Sequence, residues 1–356
     1  MSPPDAIEQA RYETNTSPAG LVAWIRDADR LLIVTHSRPD GDAVGSSLAI
    51  ARAVQQAGGS AALAYAGELP GWMDSILAGT PWQHLDRGEP PPPFDRALVC
   101  DTGAWNQLEP YKPWLAGKAD RIAVLDHHRS GSADAADLRL VDAEAAATCE
   151  LAAGACVDLL GLASASQLPT EIAEPLLLGL GTDTGWFRHP SVTPGVLRLA
   201  ADLIEAGGDH ATLVKKTMLS DPPNRARLMA RALATLTLHE AEGLATIKVT
   251  AADLRETGSS VGMTSGFADP ALGVQGISAA AVLTELPKGQ GGPGVVKISL
   301  RSKVDGPDVA KMAGAFGGGG HIHAAGARSD KSLAEVEAAL LELVRAVRDD
   351  AATGRG

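Results

Sequence analysis

The sequence predicts an α/β protein with a doubly wound, mainly parallel sheet, followed by a second, smaller α/β domain. Three observations lead to this fold class. Short apolar runs alternate with helical patterns through the first half of the chain, as they do in parallel sheets covered by helices. Ligand-type side chains follow several of these runs, at the edge where such sheets bind ligands. After the break "SDPPN", residues 220–224, the pattern changes.

The elements of the first domain can be justified in chain order. Ser17 and Pro18 are typical of an N-cap and a first helical turn, so "AGLVAWIRDADR" is predicted as a helix. A second helix, "SSLAIARAVQQAG", ends at Gly58 and Gly59. "EPPPPF", residues 89–94, is a stiff connector because the strand pattern continues after it. The other predicted strands and helices are "LLIVTH", "SAALAYAG", "RALVCD", "RIAVLD", "TCELAAGACVDLLGL" and "PTEIAEPLLLGLGTDTG".

The second domain has its own alternation of strands and helices. Strands are predicted at "GLATIKVT", "ISAAAVLTEL" and "GVVKISLRS", and helices at "GPDVAKMAGAF" and "SLAEVEAALLELVRAVRDD". The predicted organisation is a disordered tail over 1–16, a first domain over 17–206, a linker over 207–235 and a second domain over 236–348.

Composition limits the classes of function. The 356 residues are 45% apolar, which is enough for two domains with cores. A net charge of −12 argues against non-specific binding to long duplex nucleic acid or to a membrane surface. No apolar run reaches the ~20 residues of a membrane span, and the polar N-terminus lacks a signal-peptide core. Cys100, Cys149 and Cys156 lack zinc-finger spacing, so we expect a reducing, cytoplasmic location.

Carboxylates and histidines converge at the predicted strand ends. Any single aspartate there could be a turn former or a helix cap, but together they are typical of a metal site. Oxygen and imidazole ligands without cysteine suit Mn²⁺, Mg²⁺, Fe²⁺, Co²⁺ or Zn²⁺. Their number exceeds the needs of one ion and would suit two ions about 3.5–4 Å apart. The candidates are His36, Asp40 and Asp42 in one loop, Asp101, Asp126, His127, His128 and Asp183.

Four motifs, "HSRPDGDAVGS", "CDTG", "LDHH" and "GTDTGWF", together resemble the successive motifs of the DHH phosphoesterase superfamily. "ISLRS" and "AFGGGGHIHAAG" resemble the signature of its DHH-associated C-terminal domain. The resemblance covers Leu31 to Gly326 and is closest to the small oligoribonucleases. It implies a catalytic first domain and a substrate-binding second domain. It also implies hydrolysis of short oligoribonucleotides, adenosine 3′,5′-bisphosphate, cyclic di-AMP or its linear product pApA, and a homodimer.

The resemblance also implies residue roles, with Mn²⁺ as the usual metal. His36 and Asp40 match ligands of a first ion, and Asp101 matches a carboxylate that bridges two ions. Asp126 would orient a histidine, and His128 would face the substrate phosphate. The matches to the second ion's ligands are Asp42, His127 and Asp183.

The glycine run "GGGG" would alone be read as a flexible linker. Between a predicted helix and "HIHAAGAR" it is instead expected to form a phosphate-binding nest, to which Arg301 adds a bidentate donor. The expected substrate-binding residues are Arg188, Arg301, Ser302, Gly317, Gly318, Gly319, Gly320 and His321. Arg188 and His189 are the weaker candidates, because either could touch substrate or simply cap a helix. Trp186 and Phe187 could stack on a base, although such aromatic residues are more often core.

Two alternative functions stay open at this stage. An inorganic pyrophosphatase would share the first domain but use a lysine- and arginine-rich C-terminal signature, which the sequence lacks. A non-catalytic nucleotide sensor would be expected to have lost a metal ligand, and every ligand position is retained.

Overall fold

The computed structural model describes residues 12–67, 69–85, 89–287 and 295–352. It divides into two compact units, Met1–Ser220 and Asp221–Gly356. No helix in these described ranges combines the length and apolar character that a membrane span requires.

The described part of the first unit contains a six-stranded parallel sheet in the order β3-β2-β1-β4-β5-β6. The predicted fold class is therefore confirmed. The four central strands were predicted, and the edge strands β3 and β6 were not. The strands are β1 (Leu31–Thr35), β2 (Ala61–Ala66), β3 (Trp82–Leu85), β4 (Arg96–Cys100), β5 (Ile122–Asp126) and β6 (Leu138–Val141).

Helices cover this sheet so that both faces are buried. Along β1, Leu31 and Ile33 belong to one apolar cluster, whereas Leu32 and Val34 belong to another, because successive strand residues point to opposite faces. The helices are α1 (Pro18–Arg26), α2 (Gly41–Gln56), α3 (Met73–Leu77), α4 (Lys112–Leu115), α5 (Thr148–Leu160), α6 (Thr170–Asp183), α7 (Pro194–Glu205) and α8 (His210–Met218).

Helix α2 begins earlier than the sequence predicted. Asp40 is its N-cap and accepts hydrogen bonds from the N–H groups of Asp42 and Ala43, each at 3.1 Å. This cap satisfies donors that have no partner within the helix. Asp40 and Asp42 are therefore fixed by the first turn of a helix rather than held in an open loop.

Residues 12–16 differ from the predicted tail. The N–H of Asn15 donates to the carbonyl of Arg139 at 2.9 Å, and the N–H of Arg139 donates to Oδ1 of Asn15 at 2.7 Å. Since β6 is an edge strand, its outer backbone groups need such partners. The remainder of the predicted tail, residues 1–11, lies outside the described residues.

The second unit contains a mixed sheet, which in the described residues has the order β11-β12-β10-β9-β8-β7. Strands β8 and β9 are parallel, and the other neighbours are antiparallel. The strands are β7 (Thr237–His239), β8 (Leu244–Val249), β9 (Ala279–Glu285), β10 (Val296–Ser302), β11 (Gly319–His321) and β12 (Ala324–Ser329).

The helices of this unit also lie on both faces of their sheet. Ala281 and Leu283 of β9 contribute to one core cluster, and Ala280 and Val282 contribute to another. The segment predicted as a linker, 207–235, contains α8 and the whole of the following helix, Pro223–Ala234. The helices are α9 (Pro223–Ala234), α10 (Ala251–Thr257), α11 (Asp269–Leu272), α12 (Val309–Gly314) and α13 (Leu333–Ala352).

Candidate metal centre

Three neighbouring strands of the first sheet deliver the polar side chains to one edge. His36 follows β1, Asp101 follows β4, and Asp126 ends β5 directly before two histidines. The carboxyl ends of parallel strands meet at the same edge of a sheet. Asp183, the last residue of α6, reaches the same place.

Among the described residues, three groups of side chains lie close enough to hold a metal ion, with ligand atoms within 4.8 Å of one another. Nε2 of His127 lies 3.2 Å from Oδ2 of Asp183 and 3.6 Å from Oδ1 of Asp101. Asp101 and His127 each belong to two groups. The groups are His36 with Asp40 and Asp101, Asp42 with His127 and Asp183, and Asp101 with His127 and His128.

The fully buried carboxylate of Asp42 is held by the start of another helix. It accepts hydrogen bonds from the N–H groups of Thr148, at 2.6 Å, and Cys149, at 2.8 Å. These are the first two residues of α5, whose N-terminus favours a negative charge. The carboxylate is thus stabilised on one side while it faces His127 at 3.8 Å on the other.

Close packing of α2 against α6 brings Asp42 near Asp183. An added Cβ at Gly179 would lie 2.9 Å from both Cα and Oδ1 of Asp42. One added at Gly45 would overlap the carbonyl of Pro175. Glycine at these positions is required by the close approach of the two helices.

Asp101 adopts a left-handed backbone with φ of 64°. Aspartate and asparagine tolerate this region better than most residues. Its N–H donates to the carbonyl of Leu125 at 2.9 Å, and its Oδ1 accepts from the hydroxyl of Thr148 at 2.9 Å. These bonds fix a nearly fully buried carboxylate between the two histidine-containing sides of the site.

The crowded carboxylates and histidines shift one another's pKa values. Burial, and then the charge of Asp183, raise the pKa of Asp42 to about 6. Burial and the charge of Asp42 raise the pKa of Asp101 well above its usual range. Burial lowers the pKa of His36 and His127, but hydrogen bonds and charges from the aspartates dominate and raise them to about 11 and about 10. The aspartates therefore need positive charge beside them.

The carboxylate of Asp126 contacts both the backbone and the ring of His128. Its Oδ1 accepts from the N–H groups of His127, at 2.8 Å, and His128, at 3.1 Å, and lies 2.7 Å from Nδ1 of His128. Burial raises the pKa of Asp126, but the hydrogen bond and charge of His128 outweigh this and lower it. Asp126 therefore remains an acceptor that orients the His128 ring.

Sequence reasoning missed Tyr12, whose hydroxyl donates to Oδ2 of Asp126. Burial, followed by the charge of Asp126, raises the pKa of Tyr12, so the phenol stays protonated. The two residues are 114 positions apart, and no motif connects them.

The side chains of the weaker candidates after α6 make contacts within the protein itself. The Trp186 and Phe187 rings pack against the core, with centroids 5.0 Å and 6.1 Å from that of His210. Nδ1 of His189 lies 3.0 Å from the carbonyl of Asp183. Arg188 is exposed, and its Nε donates to the carbonyl of Gly185 at 2.6 Å.

In the second unit, β10 presents the exposed Arg301 next to the buried Ser302. One guanidinium nitrogen of Arg301 donates to the carbonyl of Leu300 at 2.9 Å, and Oγ of Ser302 lies 3.0 Å from Nδ1 of His323. Ser302 is thus tied to the chain that follows the glycine run.

The glycine run itself is half turn and half strand. The N–H groups of Gly317 and Gly318 donate to the carbonyls of Gly314 and Ala313, each at 2.9 Å, and so end α12. Gly319 and Gly320 belong to the edge strand β11. The side chain of His321 lies outside the described part of the chain.

Comparison with known proteins decides the family. Residues 30–180 match the model of the DHH family, N-terminal domain, and residues 246–349 match the DHHA1 domain. The chain is 31% identical over 320 residues to the bifunctional oligoribonuclease and PAP phosphatase NrnA of Thermus thermophilus, covering 90% of each protein. The chain belongs to the DHH phosphoesterase family. This DHH phosphoesterase is therefore a hydrolase, as the sequence motifs predicted.

Two further proteins are similar to this DHH phosphoesterase. It is 27% identical over 358 residues to the cyclic-di-AMP phosphodiesterase GdpP of Geobacillus thermodenitrificans, covering 95% of this chain and 50% of that one. The crystal structure of an exopolyphosphatase-related protein from Bacteroides fragilis matches with a TM-score of 0.82 and 23% identity. That match covers 93% of this chain and 97% of the other, and it supports the fold alone.

Proposed function

We propose that this DHH phosphoesterase uses two divalent metal ions, most simply Mn²⁺, to hydrolyse short oligoribonucleotides such as pApA. We extend the proposal to cyclic di-AMP and adenosine 3′,5′-bisphosphate, and to a homodimer acting in the cytoplasm. The names of the Thermus and Geobacillus relatives, an oligoribonuclease and PAP phosphatase and a cyclic-di-AMP phosphodiesterase, support this class of substrate.

The observation on which the proposal rests is the position of Asp101 in the centre. Its Oδ2 lies 3.4 Å from Nε2 of His36, and its Oδ1 lies 3.6 Å from Nε2 of His127. A carboxylate with one oxygen toward each side suits a bridge between two ions. In this proposal His36 and Asp40 hold one ion, and Asp42, His127 and Asp183 hold the other.

The donor set fits divalent ions of this kind. It consists of carboxylate oxygens and imidazole nitrogens, which suit Mn²⁺ and its neighbours. Burial and mutual repulsion oppose ionisation of the Asp42 and Asp101 carboxylates. Divalent cations would remove that repulsion, as the protonated histidines do in their absence.

The chain's own residues provide orientation and charge for the reaction. When bound, such ions lower the pKa of water and withdraw charge from a phosphate. Asp126 fixes the Nδ1 side of His128, so the Nε2 side is presented away from Asp126. We assign this Nε2 to the phosphoryl oxygens, where a positioned donor stabilises charge that grows during the reaction. No covalent bond between enzyme and phosphate is required.

Selection of short substrates needs a second contact beyond the reacting phosphate. We assign it to Arg301 on β10 and to the edge strand that begins at Gly319. The N–H groups of Gly317 and Gly318 are occupied by α12, so the later part of the run is the better place for a phosphate. A net charge of −12 offers a long nucleic acid strand little attraction.

The proposal is tested by comparing kcat/KM for pApA, RNA of about twenty nucleotides, adenosine 3′,5′-bisphosphate and cyclic di-AMP, with Mn²⁺ present. We expect turnover that chelation with EDTA abolishes, and faster cleavage of pApA than of the long RNA. Inorganic pyrophosphate is included as the control substrate. Rapid hydrolysis of pyrophosphate with none of pApA would replace this proposal with a pyrophosphatase, and binding without turnover would replace it with a nucleotide sensor.

A further inference from the structure

The short segment before α1 brings the side chain of Tyr12 into contact with Asp126, the residue that orients His128. Side chains of the segment anchor it to β6 and to the residue before that strand: Oγ1 of Thr14 donates to the carbonyl of Arg139 at 3.1 Å, and Nδ2 of Asn15 donates to the carbonyl of Asp137 at 2.8 Å. With this anchoring, Tyr12 packs against a core cluster of the sheet. The segment therefore has a defined position.

Tyr12 occupies a notch between two glycines. A Cβ added at Gly131 would lie 2.5 Å from Cε2 and Cζ of the Tyr12 ring, and one added at Gly103 would overlap its hydroxyl end. Neither glycine is among the residues with a left-handed backbone, so their conformation does not require glycine. Because neither glycine has a side chain, the Tyr12 ring can occupy the space between them.

The hydroxyl of Tyr12 completes the hydrogen bonding of Asp126. Oδ1 of Asp126 accepts hydrogen bonds from the backbone N–H groups of His127 and His128 and contacts Nδ1 of His128. Oδ2 accepts a hydrogen bond from the Tyr12 hydroxyl. Asp126 is fully buried, and a buried carboxylate oxygen without a donor is strongly disfavoured. With a donor on each oxygen, the carboxylate has one orientation, the one in which Oδ1 faces Nδ1 of His128.

We propose that Tyr12 is a positioning residue for the hydrolytic reaction: it orients Asp126, and Asp126 orients His128. This inference rests on the proposed function, because it takes His128 as the residue that faces phosphate. It makes full activity depend on the N-terminal segment, which none of the family motifs includes.

Tyr12→Phe is the first test, since it keeps the ring in the notch and removes the hydroxyl. Loss of such supporting hydrogen bonds typically costs about 10–100-fold. We expect kcat to fall at least about tenfold, with KM and Mn²⁺ stoichiometry close to those of the wild type and with Tm somewhat lowered, because Oδ2 of Asp126 loses its donor. Tyr111→Phe is the matched control. It removes another buried tyrosine hydroxyl from the same core cluster, one that bonds the carbonyl of Ala64 at 3.3 Å, and should leave kcat unchanged.

Gly131→Ala provides an independent test through the notch. The added methyl group should displace the ring and lower kcat as Tyr12→Ala does. The double variant Tyr12→Ala/Gly131→Ala should be no worse than Tyr12→Ala alone, because the methyl group then occupies vacated space. Equal losses from Gly131→Ala with and without Tyr12 would overturn the proposal, as would a wild-type kcat for Tyr12→Phe.

The assays use both pApA and bis-p-nitrophenyl phosphate, so that failure of the proposed substrate is separated from failure of this inference. A readout without turnover is the NMR signal of the His128 Nδ1 proton in the Mg²⁺-loaded protein. We expect Tyr12→Phe to shift or broaden this signal and Tyr111→Phe to leave it in place. An unchanged signal in Tyr12→Phe would overturn the positioning role even if no substrate were hydrolysed.

Discussion

Asp101 and His36 face each other across the ends of adjacent strands, with Oδ2 of Asp101 3.4 Å from Nε2 of His36. The other oxygen of the same carboxylate is turned toward His127. The left-handed backbone at Asp101 and the hydrogen bond from Thr148 fix this arrangement. One carboxylate is thereby available to both halves of the candidate metal centre.

Asp101→Asn should abolish turnover and remove at least one metal ion per chain. Asparagine tolerates the same left-handed backbone, so the change is confined to the charge and one ligand oxygen. We expect a loss in kcat of roughly a thousandfold or more, since the variant would lack the proposed bridge between two ions. Metal content is measured by mass spectrometry beside the assay. The control, Asp134→Asn, changes an exposed aspartate of the same unit, and near-normal activity of Asp101→Asn with two ions bound would exclude the bridge.

His127 and His128 should respond differently to alanine. His128→Ala is expected to keep most of the metal but to lose about 10²–10³ in kcat, the typical value of one electrostatic donor. His127→Ala is expected to lose metal, because His127 lies within reach of Asp42, Asp101 and Asp183. Metal titration and kcat are measured on both variants. The opposite result would mean that the two histidines have exchanged roles.

Arg301→Ala should discriminate between large and small substrates. We expect a large loss in kcat/KM for pApA and little loss for bis-p-nitrophenyl phosphate, which has no second nucleotide to contact Arg301. Arg328→Ala, on the neighbouring strand β12, is a charge-matched control. Equal losses on both substrates would assign Arg301 to the chemistry or to the fold, and the explanation of length selection would fail.

Metal affinity should rise with pH. In the metal-free protein the pKa of His36 is raised to about 11 and that of His127 to about 10, so both are protonated at neutral pH. A metal ion must displace these protons, and its affinity therefore increases as the pH rises toward those values. Calorimetry in buffers of different ionisation enthalpy should measure the number of protons that metal binding releases, and we expect contributions from both histidines and from Asp101, whose pKa is also raised. His84→Gln should leave that number unchanged and His36→Gln should reduce it, whereas a pH-independent affinity would contradict the protonated state.

Two glycine-to-alanine changes should have opposite effects on stability. Gly179→Ala places a Cβ 2.9 Å from Asp42 and in overlap with Sγ of Cys149, and overpacking of this kind costs about 1–3 kcal/mol. Gly154→Ala lies in the exposed interior of α5 with no atom within 4 Å of the new Cβ, and should stabilise by up to about 1 kcal/mol. Thermal unfolding measures both. A neutral Gly179→Ala would show that α2 and α6 can separate at no cost.

The central strands of the first sheet could be predicted because they are buried on both faces. β1, for example, is fully buried along Leu31–Thr35, so its sequence is a continuous apolar run. The edge strands β3 and β6 are only partly buried, and residues such as Gln83 and Arg139 interrupt the apolar pattern. Strands β11 and β12 consist largely of glycine and alanine, which have little strand propensity. Antiparallel pairing with β10 places β12 in the sheet, and β12 in turn pairs with β11.

The sequence by itself determined which residues are candidates for the metal centre. Strand ends in a parallel sheet share an edge, so the motifs after β1, β4 and β5 had to meet there. Only the tertiary structure decided their orientation. The cap of α2 at Asp40, the α5 N-terminus on Asp42 and the left-handed Asp101 depend on contacts between distant segments. The position of Tyr12 depends entirely on such contacts. Tyr12 and Asp126 are 114 residues apart in the sequence, so the hydrogen bond between them can be identified only in the folded chain.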